Sequence, residues 1–191
     1  PCYEGIMGGG WQEVQRFLFW TSITSGACGH TYGAQGMWGM SSRDEPFHGT
    51  TMDWGSGYWQ DVMHYPGSAQ VALGRRFFER YPWWLFAPRA EPEAEKRGRV
   101  SAFATGIEGE IAVFYLAANC MEGKFAGVQG TSIHVEPGAA YRAFFFDPRT
   151  GAEVAVGPVQ PGADGLWPVP AKPSMEDWVL VLAGGGRVRV A

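Results

Sequence analysis

A carboxylate at position 4, directly behind the short apolar start Pro1-Cys2-Tyr3 and ahead of Gly5, is the side chain of this sequence best set by type and surroundings to act as acid, base or nucleophile. A surface or purely structural carboxylate is the alternative for Glu4. A second candidate group is GHTYG at 29–33, where strand alternation puts His30 and Tyr32 on one face and leaves Thr31 and the glycines on the other. Other chemistries lack their signatures. The three cysteines, Cys2, Cys28 and Cys120, form neither a CxxC pair nor an even framework and read as buried free thiols. The four histidines, His30, His48, His64 and His134, lack metal-ligand spacing, so no metal centre is expected. GxSxG, P-loop and GxGxxG patterns are missing, and the glycine runs at 8–10 and 184–186 match none of them, so no cofactor is implied.

The elements that must position these residues divide the chain in two. Residues 1–88 alternate strand and helix signals, whereas 98–191 offer short strands and turns alone. The charged, proline-containing stretch at 89–97 reads as a linker. In the first half, Trp11, Val14, Phe17, Leu18 and Thr21 recur at helical spacing, which predicts a helix over 10–25 closed by Gly26. A long loop rich in glycine and tryptophan follows at 37–65, a length uncommon without a function. Pro66 suits the first turn of a second helix, in which Ala69, Leu73 and Phe77 form a ladder that Pro82 terminates. The second half predicts strands at 99–105, 110–117, 131–135, 141–146, 166–169, 177–183 and 187–190, the pattern of a β-sandwich. DPRTG at 147–151 is a tight hairpin turn by its chemistry.

Composition bounds the function class. The chain has 191 residues, 46% of them hydrophobic, enough to bury a core. A net charge of −4 with scattered basic residues argues against nucleic acid. No apolar run is long enough to span a membrane, and no signal-peptide pattern is visible. Because the sequence begins with Pro1, a processed protein or a fragment is expected.

Taken in order, PCYEG at 1–5, the helix carrying Arg16 and Trp20, SGACGHTYGA at 25–34 and GMW at 36–38 resemble the closing part of the apiosidase-like glycoside hydrolases. Downstream, DPRTG and DWVLVL at 177–182 resemble the β-domain that follows the barrel in many members, a domain named for collagen binding in a collagenase. The most specific element is the ordered pair YEG and SGxxGHTYGA, about twenty residues apart. DPRTG alone is weak evidence.

The resemblance implies the last two β/α units of a (β/α)8 barrel over 1–88, a linker over 89–97 and an antiparallel β-sandwich over 98–191. Such a barrel takes about 250 residues. An incomplete barrel is therefore expected, with unpaired strand edges when these residues stand alone. The segment at 1–4 would end the seventh strand and 29–33 would be the eighth. Glu4 would then lie at the strand end where barrel enzymes keep their chemistry, as the nucleophile of a two-carboxylate mechanism whose acid/base residue is on an earlier strand. His30 and Tyr32 would face the barrel mouth and bind sugar hydroxyls or orient Glu4, a hydrogen-bonded core role being the alternative for each. Trp38 would offer an aromatic face to a sugar ring. Trp54, Tyr58 and Trp59, with Asp53 and Asp61, would line outer subsites or simply anchor the loop, and Arg16 would make a structural ion pair or cap a neighbouring carbonyl. The implied partner is a carbohydrate substrate, in an extracellular or periplasmic setting. Two other readings stay open: a collagen- or polysaccharide-binding module in the β-domain, and a structural protein with degenerate barrel segments.

Overall fold

The computed structural model describes residues 3–6, 10–37, 39–46, 57–89, 103–118 and 132–185. Helix α1 spans Gln12–Thr24, within the expected window. Its buried face is Gln15, Arg16, Phe19, Trp20 and Thr24, not the stripe headed by Trp11, which is half exposed. The run Phe17 to Trp20 is apolar all round the helix, so hydropathy does not choose a face; contact with the sheet does. After a short helix α2 at Trp59–Val62 comes α3 at Pro66–Phe78, with Pro66 in its first turn. The expected ladder is also displaced: Ala69 is exposed, and the buried positions are Gly67, Gly74, Phe77 and Phe78. The two glycines permit close approach. A Cβ at position 74 would stand 2.3 Å from Phe19 Cε1, and one at 67 would stand 2.2 Å from Glu4 Oε2.

The second half, joined at one edge by Ala87–Pro88 of the first, forms a six-stranded antiparallel sheet and a two-stranded ribbon. Numbered along the chain, the strands are β1 Ala87–Pro88, β2 Phe103–Ile107, β3 Ile111–Leu116, β4 Ser132–His134, β5 Tyr141–Phe146, β6 Glu153–Pro158, β7 Leu166–Pro168 and β8 Trp178–Gly184. The sheet order is β1-β2-β3-β8-β5-β6, and β4 pairs with β7 in the ribbon. Strand β6 was not anticipated. It is a largely exposed edge strand without apolar alternation, and its register against β5 slips at Ala143/Phe144. The DPRTG segment is the turn joining β5 to β6: the Asp147 carbonyl accepts the Gly151 amide at 2.8 Å, and Gly151 takes a φ of +80°. The strand expected at 187–190 and most of the linker at 89–97 lie outside the described residues.

Alternation along the central strands builds two cores on opposite faces of one sheet. Ala112, Phe114, Leu116, Leu180 and Leu182 face the ribbon residues Ile133, Val135, Trp167 and Val169. Ile111, Val113, Tyr115, Val179 and Val181 face the helices, where Phe19, Trp20, Phe77 and Phe78 close over them. The Trp20 and Tyr115 rings stack with centroids 6.1 Å apart and planes 5° from parallel. Into this apolar layer α1 sends one charge. Arg16 donates through Nε and Nη2 to both oxygens of Asp177, each at 2.8 Å, and through Nη1 to Gln70 at 2.6 Å, while Tyr115 donates to the same carboxylate at 3.1 Å. The ion pair expected of Arg16 is therefore present, and it ties the helices to the last strand of the sheet.

Candidate functional site

The site is built on a parallel contact between two short extended segments. The Glu4 amide donates to the Gly33 carbonyl and the Gln35 amide to the Glu4 carbonyl, both at 3.0 Å, which makes Glu4 and Ala34 a parallel bridge. Helix α1 follows the first segment, and α2 and then α3 follow the second. The strand expected at 29–33 is not formed among the described residues; the contact is this single bridge.

Glu4 is fully buried, at 0% exposure. Tyr32 donates its hydroxyl to Oε2 at 2.7 Å, and the Gly67 amide in the first turn of α3 donates to Oε1 at 3.2 Å. A helix N-terminus leaves amides without internal partners and carries partial positive charge, so a carboxylate there is doubly favoured. Pro66 has no amide to offer, and Gly67 has no Cβ to keep Glu4 away. The carboxylate thus points into the layer between the strands and the helices, where a Cβ at 67 would also meet Gln15 of α1 at 3.1 Å. Burial, then the bond to Glu4, push the Tyr32 phenol well above the ordinary tyrosine range. Tyr32 is thereby held as a neutral donor.

The structure joins Tyr32 to Glu4, one of the roles left open for it, and seats His30 elsewhere. Its ring packs edge-on to Phe19 at 5.6 Å and lines a cavity of about 480 Å³ between α1 and α3, with Cys28, Ser68, Val71, Arg75 and Phe78. Burial holds the His30 imidazole below its usual range, and its Nε2 is buried without a hydrogen-bond partner among the described residues. Cys28 is exposed, contrary to the expected buried thiol. Trp38, Asp53 and Trp54, like Cys2 and Cys120, lie outside the described residues. Tyr58 sits under the Arg43 guanidinium at 5.7 Å, and Arg43 pairs with Asp61 at 2.5 Å. Among the described residues no group of three His, Cys, Asp or Glu side chains is set to hold a metal.

The sequence reading missed two partners of this site. Gly67 was legible only as the residue after a helix-starting proline, and Tyr65, whose hydroxyl accepts from Gln35 Nε2 at 2.9 Å, was absorbed in the long loop.

Residues 1–85 match the family model described as Apiosidase-like, catalytic domain. A search of curated proteins finds no match. Among solved structures, a glycoside hydrolase family 5 from Bacteroides vulgatus ATCC 8482 is similar at a TM-score of 0.70 and 17% identity, covering 97% of this chain and 40% of that one. Another, described as a glycoside hydrolase, gives 0.64 and 17%, covering 97% of this chain and 41% of its own. The chain therefore spans about 40% of the length of these structures, and at such identity the likeness is one of fold. Residues 1–85 are similar in sequence to apiosidase-like catalytic domains, and nearly the whole chain shares its fold with part of two glycoside hydrolases.

Proposed function

We propose that this chain is the closing part of a glycoside hydrolase that cleaves O-glycosidic bonds in a poly- or oligosaccharide. In this reading residues 1–88 are the last two units of a (β/α)8 barrel, 89–97 the connection, and 98–191 a β-sandwich whose second layer is the β4–β7 ribbon. The observation that carries it is the parallel bridge between Glu4 and Ala34, each segment followed by a helix, within the residues that match an apiosidase-like catalytic domain. Glycosidases work with paired carboxylates around an oxocarbenium-like transition state.

The role of Glu4 in that pair depends on access. A nucleophile must touch the anomeric carbon, and in this chain Glu4 is at 0% exposure. Its burial, its bond from Tyr32 and its bond from the α3 N-terminus support a positioning role: Glu4 fixes the second helix and Tyr32 beneath the site, in preference to the nucleophile role that the resemblance implies. His30, seated against Phe19, fits the core role open to it. Trp38 keeps its proposed place as a sugar-facing ring. No observation among the described residues favours collagen or polysaccharide binding by the sheet, whose central strands are covered by the ribbon and the helices.

The test is release of reducing sugar from soluble polysaccharides by the complete gene product. Failure across xylan, mannan, pectin and β-glucan would remove the hydrolase reading.

A further inference from the structure

We propose that Trp11 and Tyr65 form a subsite on which a sugar ring of the substrate stacks, an inference that rests on the glycoside hydrolase reading. Each is the N-cap residue of its helix, Trp11 of α1 and Tyr65 of α3, and neither caps through its side chain. Helix chemistry asks for Ser, Thr, Asp or Asn there. The capping work is done by others: the Trp11 amide donates to Glu13 Oε1 at 3.1 Å, and the Gly67 amide to Glu4. The two aromatic rings thus serve neither helix end.

They serve each other and the surface. Their centroids are 5.7 Å apart with planes at 59°, and Trp11 is 50% exposed. Gln35 holds the Tyr65 hydroxyl, and a Cβ at Gly5 would lie 3.3 Å from Tyr65 Cε2, so the pair adjoins Glu4. The start of α3 meets the Glu4–Ala34 bridge, since the Gly67 amide donates to Glu4, and in the barrel reading Glu4 ends a strand, where barrel enzymes bind substrate. A half-exposed indole beside a hydroxyl and an amide suits a sugar: the ring's C–H face lies on the apolar surface while its hydroxyls reach the polar edge.

The test is affinity electrophoresis of the complete gene product through gels containing xylan, mannan, pectin or β-glucan. Retardation of the wild type by one of these polymers is expected. Trp11→Ala then weakens it about tenfold, Trp11→Phe less, and Trp84→Ala, which alters an exposed tryptophan beyond the other end of α3, leaves it unchanged. Undiminished retardation of Trp11→Ala overturns the subsite, as does a wild type retarded by none of the polymers. Sugar release by the complete gene product judges the hydrolase reading separately: hydrolysis with an unchanged KM in Trp11→Ala removes the subsite alone.

Discussion

The carboxylate of Glu4 and the backbone of Gly67 are in direct contact, with the Gly67 amide donating to Oε1 at 3.2 Å and no room between them for a side chain. An alanine is intrinsically better than glycine in a helix by about 0.5–1 kcal/mol, so Gly67→Ala would stabilise an ordinary helix. Here its Cβ collides with a carboxylate oxygen at 2.2 Å. The expected result is a net loss of about 1–3 kcal/mol in urea denaturation, which shrinks or reverses sign in a Glu4→Ala background. An equal loss in both backgrounds would disconnect Gly67 from Glu4.

Arg16 and Asp177, buried to 4% and 3% side-chain exposure, offer a second test. Removing one member of a buried pair strands the other charge, at a cost of roughly 3–5 kcal/mol. Asp177→Asn and Arg16→Met should each destabilise the chain strongly by thermal denaturation. The double variant should lose less than the sum of the two, and strict additivity would contradict a coupled pair.

Stability should decline with acid in two separate windows. The folded-state pKa of His30 is lowered by burial, so between that value and the unfolded value of about 6.5 the unfolded chain binds more protons. Its contribution is complete above pH about 6.5 and is lost as pH falls toward the folded value. Burial pushes the Asp147 carboxyl up, but hydrogen bonds from the Arg149 side chain and amide outweigh it and hold it low. That contribution is complete above the unfolded value of about 4 and is lost as pH falls through the folded one. Melting temperatures from pH 7 to 5 should therefore slope more gently in His30→Asn than in wild type; parallel slopes would refute the His30 assignment.

How much of this was legible in the sequence depends on how local each signal is. Pro66 marked the start of α3 because its fixed φ and missing amide suit a first turn, and Gly26 marked the end of α1 within two residues. Five of the strands, β3, β4, β5, β7 and β8, lie within about a residue of their expected ranges because their apolar runs are short and bounded by turns. Helix faces were misread, since Phe17 to Trp20 is apolar all round and the choice of Phe19 and Trp20 is made by distant Val113, Tyr115 and Val179. Strand β6 escaped because an exposed edge needs no alternation. The Tyr32–Glu4 contact was one of the roles that the resemblance left open for Tyr32, whereas strand parity, which put His30 on the same face, did not hold because 29–33 forms no strand. The burial of that carboxylate under Gly67, contributed by a helix more than sixty residues later, was not foreseen.

The measurement that bears most directly on the account is hydrolysis by the complete gene product and its Glu4→Gln variant, with sodium azide as an external nucleophile. The account predicts sugar release by the wild type, and a Glu4→Gln enzyme that is less stable, retains measurable turnover and is not rescued by azide. An inert wild type would contradict the hydrolase reading. A loss on the order of 10⁴-fold or more that azide restores would make Glu4 the nucleophile and contradict its positioning role.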